Sequence, residues 1–139
     1  MTDDRQPATD EDLALIDGWT AWVADHAEPA AVLDSHDAIM DHLTGLLAED
    51  FIAEYGGEEF FAFGIVWGEA LRMKNDGWKW VSIPTEEGRT LVLDVSADDS
   101  LADPQALVAP GHLMARRAGM TERQDLRMLE TLLMSDIRT

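Results

Sequence analysis

Cysteine is absent from this chain of 139 residues, which excludes disulfide staples and thiolate metal sites. Lysine is nearly absent as well: only Lys74 and Lys79 occur, and Lys and Arg together number 10 against 28 Asp and Glu. The formal net charge is -18. That balance excludes a nucleic-acid binder, whose affinity comes largely from basic side chains meeting phosphates. An anionic membrane surface would repel the chain too. No apolar run approaches the ~18–20 residues that a membrane-spanning helix needs. The opening residues, MTDDRQPATDED, are acidic and polar, unlike a secretory signal with its basic start and apolar centre. A cytoplasmic location is therefore the expectation. There is no G-x-x-x-x-G-K, no G-x-S-x-G and no H-E-x-x-H, so no familiar catalytic motif stands out, and neither a cofactor nor a metal is expected.

What is present is a core. Hydrophobic residues make up 46% of the chain, enough for one domain of this length to bury roughly two-thirds of its unfolded surface. Residues 60–83, FFAFGIVWGEALRMKNDGWKWVSI, hold three of the five tryptophans and change period partway. Up to Asn75 the apolar residues fall at helical spacing, and from Trp78 onward they fit a strand. Asn75, Asp76 and Gly77 supply the turn between them. The helix is apolar nearly all round, which marks it as buried. Gly64 and Gly68 lie four apart on its packing face. Glycine inside a helix costs about 1 kcal/mol relative to alanine, so the spacing predicts a backbone or ring approaching closely at both positions.

The rest of the chain arranges itself around that unit. Residues 1–8 read as a flexible tail, and residues 9–139 as a single domain. Thr9 caps a first helix, with Asp10, Glu11 and Asp12 favouring its dipole and Leu15, Trp19, Trp22 and Val23 giving its apolar stripe. Asp34 or Ser35 caps a second helix, expected to continue to about Tyr55. Residues 78–83 and 90–95 read as strands of a hairpin, and residues 106–109 as a weaker third strand. A short helical piece over 112–118 precedes the capping box Thr121-x-x-Gln124, which opens a last helix with Leu126, Leu129, Leu132 and Leu133 on its buried face. The expected fold is α+β, in the order α-α-α-β-β-(β)-α, with helices packed on one face of a small antiparallel sheet.

Read together, Gly64-x-x-x-Gly68-Glu69-Ala70-Leu71, Gly77-Trp78-x-Trp80-Val81 and Leu107-Val108-Ala109-Pro110 resemble the bacterial proteins known as domain of unknown function 3806. The resemblance covers roughly residues 51–133. It implies the same α+β fold, and it carries no activity or catalytic residues to transfer. The long acidic stretch over 96–105 departs from the pattern.

Several residue groups invite a functional reading. Glu69, with Arg72 three residues on, sits on a buried helix, where a carboxylate either pairs with its neighbour or serves as an acid or base. Trp67, Trp78 and Trp80 with that pair form a candidate pocket between helix and sheet, although tryptophans alternating on a strand more often pack a core. His36, Asp37, Asp41 and His42 cluster on the second helix, but the two histidines are six apart and face differently, which favours a solvated helix face over a metal site. Asp94, Asp98, Asp99 and Asp103 lack the calcium-loop spacing.

The leading expectation is a non-enzymatic protein-binding domain, of an immunity or antagonist type, using its acidic surface on a basic protein. Glu58, Glu59, Asp98, Asp99 and Asp103 are the expected contact residues. A solvent or genome adaptation explains the same acidity without a partner. The alternatives are a small-molecule-binding protein or enzyme with its pocket near Glu69, Trp78 and Trp80, and a domain that self-associates through Trp19, Trp22, Met114, Met120, Met128 and Met134. The oligomeric state is left open by the sequence.

Overall fold

The structure, a computed structural model, describes residues 6–27, 30–49, 54–75, 77–86, 88–95, 107–116 and 126–138, with side chains of the last segment described through Ser135. These residues form an α+β fold. In chain order the elements are β1 (Gln6–Pro7), α1 (Asp10–Ala24), α2 (His36–Leu47), α3 (Gly57–Lys74), β2 (Lys79–Thr85), β3 (Gly88–Asp94), β4 (Leu107–Val108), α4 (Pro110–Ala115) and α5 (Leu126–Arg138).

The helices begin where their caps dictate. The Thr9 hydroxyl accepts from the Asp12 amide at 3.1 Å, and the Asp12 carboxylate accepts from the Thr9 amide at 3.0 Å. This reciprocal box satisfies two donors that the first turn of α1 would leave orphaned. Ser35 caps α2 by accepting from the Ala38 amide at 3.2 Å. α2 closes at Leu47, short of the expected Tyr55. Leu46 and Leu47 are its last buried residues, and Tyr55 leaves helical spacing to join an aromatic cluster with Trp22 and Phe63.

The sheet is antiparallel throughout, in the order β1-β2-β3-β4. β2 and β3 form its body, with Trp80 opposite Leu93 and Val81 opposite Val92. Gly77 and Gly88 have positive φ, of 88° and 132°, at the entry to each strand, where a residue with a side chain would be strained. Leu91 to Val95 are buried at every position. Burial without alternation means that both faces of the sheet are covered there. The stretch read as the end of a tail is in fact an edge strand: Gln6 and Pro7 pair with Ser82 and Val81, and the Ala8 amide donates to the Trp80 carbonyl at 3.2 Å. Two paired residues are too few to carry a sequence period. Residues 1–5, the acidic stretch over 96–105 and the capping box over 121–124 lie outside the described residues.

α3 is the central element. Phe63, Ile65, Val66, Ala70 and Leu71 are wholly buried, and Trp67 is 1% exposed. The expected close approach is found at both glycines. A Cβ on Gly64 would lie 2.3 Å from the Pro110 carbonyl oxygen and 2.6 Å from the Gly111 Cα. One on Gly68 would lie 2.5 Å from the Trp80 ring and 2.7 Å from the Pro110 ring. α3 and α4 therefore touch backbone to backbone, and the strand Trp80 closes the same junction.

α5 departs from expectation in one respect. Leu126 is fully buried and Leu129 and Leu133 are half-buried, as the spacing implies, but Leu132 is 56% exposed while Glu130 is buried. Glu130 follows Leu126 by four residues and so shares its face. His36 Nε2 lies 2.8 and 3.0 Å from its two carboxylate oxygens, and Lys74 Nζ lies 3.6 Å away. A charge taken from water is tolerated when it is paired in this way.

The glycines separate the two effects that a side chain can have in a helix. Gly64→Ala is expected to destabilise the fold by about 2–3 kcal/mol, because rigid backbone meets the new methyl. Gly45→Ala, on α2 where a Cβ meets nothing within 4 Å, is expected to stabilise it by about 0.5–1 kcal/mol. Urea denaturation of both variants checks the pair.

Candidate functional site

The chemistry-bearing surface of the described residues is an open cleft of about 1250 Å³. α1 contributes Trp19, the start of α3 contributes Glu58 and Phe61, the β2–β3 hairpin contributes Glu86, Arg89 and Thr90, and α4 contributes His112 and Arg116 at its end. The first turn of α3 stands at the cleft because its remaining turns are fixed by Gly64 and Gly68. α4 reaches the cleft for the same reason, since Pro110 and Gly111 are pinned against α3 and His112 follows directly.

An aromatic row lines it. Phe61 meets Trp19 edge to face, with ring centroids 5.7 Å apart and planes at 77°. On its other side Phe61 meets His112 at 5.3 Å and 76°. Such edge-to-face pairs contribute about 0.5–1.5 kcal/mol beyond their buried area. Phe61 rests on Gly111, where a Cβ would come within 2.6 Å of the ring. His112 Nε2 lies 2.9 Å from the Thr90 hydroxyl, tying α4 to β3. Arg89 is held in place from below: its Nε donates to the Ser82 hydroxyl at 2.9 Å and its Nη2 to the Ser82 carbonyl at 2.7 Å. A narrower recess of about 340 Å³ continues the cleft past Trp19, Phe61, Arg89 and Thr90 toward Thr9, Glu11 and Asp12 of α1.

The pocket expected from sequence involves other residues. Trp67, Trp78 and Trp80 are 1%, 4% and 5% exposed and line no part of this cleft. The indole N–H groups of Trp67 and Trp80 meet no acceptor among the described residues, so both rings are used for volume. An unpartnered buried donor costs about 1–3 kcal/mol. Glu69 forms the expected ion pair with Arg72, Oε2 to Nε at 2.5 Å, with its side chain 16% exposed.

Of the expected partner-contact residues, Glu58 is exposed and lines the cleft, and Glu59 beside it is half-buried. Asp98, Asp99 and Asp103 lie outside the described residues. Within the α2 cluster His36 Nδ1 lies 3.1 Å from Asp37 Oδ1, and its members otherwise turn to partners outside it. His42 Nε2 lies 2.7 Å from the Val23 carbonyl, His36 faces Glu130, and Asp37 and Asp41 face Arg127. The Asp41 carboxylate accepts from Arg127 and raises that guanidinium above its ordinary value. Among the described residues no three His, Asp or Glu converge as a metal-ligand set. Asp94 is buried within β3.

The surface considered for self-association is also reduced. Met114 is 1% exposed and Met134 is half-buried, while Trp22 stacks on Phe63 with planes at 19° and keeps 37% exposure. Met128 is exposed, and Met120 lies outside the described residues. No helix of the described residues is long and apolar enough to cross a membrane.

An α+β domain with an open polar cleft at the junction of its central helix, hairpin and short helix is the class that this geometry defines. The chain belongs to the family described as Domain of unknown function (DUF3806), whose model matches residues 40–115. That span runs from within α2 to the end of α4. It contains the whole α3–α4 junction and every cleft residue named above except Trp19 and Arg116. No curated protein and no solved structure matches the chain.

Sequence reasoning reached Trp19 and Glu58 and missed Phe61, Arg89, Thr90, His112 and Arg116 as a group. The nearest signal was Gly111 directly before His112, but only the fold shows Phe61 seated on it. Gly111→Ala is expected to displace the Phe61 ring at a cost of about 1–2 kcal/mol. The Trp19 indole and His112 ring resonances in a proton NMR spectrum should both move, and unchanged resonances would show that Phe61 is not seated on Gly111.

Proposed function

We propose that this is a ligand-binding domain and that the cleft is its site. The observation that carries the reading is the convergence of aromatic and charged side chains from α1, α3, the hairpin and α4 on one concavity. Ligand sites are concave, largely pre-formed and fitted with a few placed polar groups beside apolar surface. Here Ser82 pre-orients Arg89, and the α3–α4 contact fixes Phe61 and His112. Fragment titrations followed by 1H–15N NMR test this directly. Bound fragments should move the Trp19 indole and the Phe61, Thr90 and His112 amides together, and Trp19→Ala should weaken them about tenfold, the order of one lost aromatic contact. Fragments that map instead to α5 or to the α1–α2 side would contradict the assignment.

A second reading follows from the charge. With a net of -18, and with Glu58 and Glu59 in the first turn of α3 at the cleft rim, the same face suits a basic protein partner. In this form the domain is an antagonist or immunity-type protein of the bacterial cytoplasm, and its carboxylates speed association more than they deepen affinity. Capture of such a partner should fall steeply between low and high salt and drop further in the double variant Glu58→Lys, Glu59→Lys. Capture that is insensitive to both changes would remove the electrostatic reading.

A further inference from the structure

Charges of both signs face the cleft without neutralising each other. Glu58 and Glu86 line it together with Arg116, and none of the three takes part in an ion pair or side-chain hydrogen bond among the described residues. Arg72, Lys74 and Arg127 are each matched to a carboxylate. Arg116, like Lys79, takes part in no ion pair among the described residues, although two glutamates stand in its own cleft. The cation and the carboxylates also arise from separate walls: Arg116 from the end of α4, Glu58 from the start of α3, and Glu86 from the hairpin turn. Between them lie the faces and edges of Trp19 and Phe61.

A purely anionic ligand would approach against the field of the whole protein and meet the two glutamates at the site. A purely cationic one would be drawn in generally but would meet the arginines Arg89 and Arg116. A ligand with both charges is neutral to the overall field and complementary to both walls. We propose that the cleft takes a zwitterion of the amino-acid type, with its carboxylate toward Arg116, its ammonium toward Glu58 and Glu86, and an aromatic or apolar side chain on Trp19 and Phe61. This rests on the cleft being the binding site. It deepens that reading by naming the ligand's chemistry. The guanidinium suits a carboxylate because its planar fork can donate two parallel hydrogen bonds. The cleft is large enough to hold a whole amino acid with room beside it.

Three probes share one ring and chain and differ only in charge: L-phenylalanine has both groups, phenethylamine only the ammonium, and hydrocinnamate only the carboxylate. Each is titrated into the 15N-labelled protein, with the Trp19 indole and the Thr90 and His112 amides as reporters. L-Phenylalanine should bind at least about tenfold more tightly than either single-charge probe, the order expected for one charge-assisted contact. Glu58→Gln should weaken L-phenylalanine and phenethylamine and spare hydrocinnamate, and Arg116→Gln should weaken L-phenylalanine and hydrocinnamate and spare phenethylamine. Both variants change exposed side chains, so an unchanged spectrum elsewhere certifies the fold. If phenethylamine or hydrocinnamate binds as tightly as L-phenylalanine, the zwitterion is overturned while the cleft remains the site. If no probe moves the cleft signals while fragments bind elsewhere, the cleft reading falls and the zwitterion with it.

Discussion

The contact between α3 and α4 governs the rest of the structure. Gly64 and Gly68 remove two side chains from the most buried helix, and Pro110, Gly111 and Trp80 occupy the space that this opens. Each helical glycine costs about 1 kcal/mol of propensity. The return is dispersion contact between atoms that no Cβ keeps apart. Pro110 suits the first position of α4, where its missing amide would have no helical partner anyway. Three stretches of the span that the family model matches, around Gly64 and Gly68, around Trp80 and around Pro110, meet in this one junction. Their first role is architectural. The cleft is its consequence, because Phe61 leaves α3 one turn before Gly64 and His112 leaves α4 directly after Gly111.

Charge is organised against that frame. Three of the described cations are committed: Arg72 to Glu69, Lys74 to Glu130 and Arg127 to Asp37 and Asp41. The Glu130 arrangement joins three helices, since His36 belongs to α2, Lys74 to the end of α3 and Glu130 to α5. His36 and Glu130 are largely withdrawn from water, so salt screens their contact less than it screens the exposed pairs, whereas the Lys74 side chain remains 58% exposed. Arg116 faces the cleft with no ion pair among the described residues, and the Arg89 guanidinium is oriented by Ser82 on its own hairpin. The excess of acidic residues keeps the protein far from neutrality and its surface repulsive to polyanions. It leaves open how a local site balances its own charges.

Much of the fold is legible in the residues because the signals are local. Thr9 and Ser35 announce their helices through side chains that reach only three residues. The spacing of Gly64 and Gly68 announces a close neighbour, and the change of period after Asn75 announces the strand. The signals that fail are those whose meaning comes from distant partners. Gln6 and Pro7 form a strand only because the edge of β2 is available to them. Glu130 is buried where His36 and Lys74 converge on it, and Leu132, six residues after Leu126, falls outside the buried face of α5. The cleft is the extreme case. Trp19, Phe61, Arg89 and His112 are separated along the chain and share no motif, so nothing short of the packed fold brings them together. Trp78 and Trp80, whose alternation on a strand already favoured core packing over a pocket wall, fill the core.

The central claim is that α3 and α4 meet backbone to backbone at the glycines, with the Trp80 ring against Gly68. Its most direct test is a two-dimensional NOE spectrum of the unmodified protein. The account predicts strong cross-peaks between the α protons of Gly64 and Gly111 and between those of Gly68 and the Trp80 ring, with the Gly68 protons displaced from their ordinary shift by the indole ring current. Absence of both cross-peaks, with Gly68 at an ordinary shift, would separate α3 from α4 and remove the physical basis of the cleft.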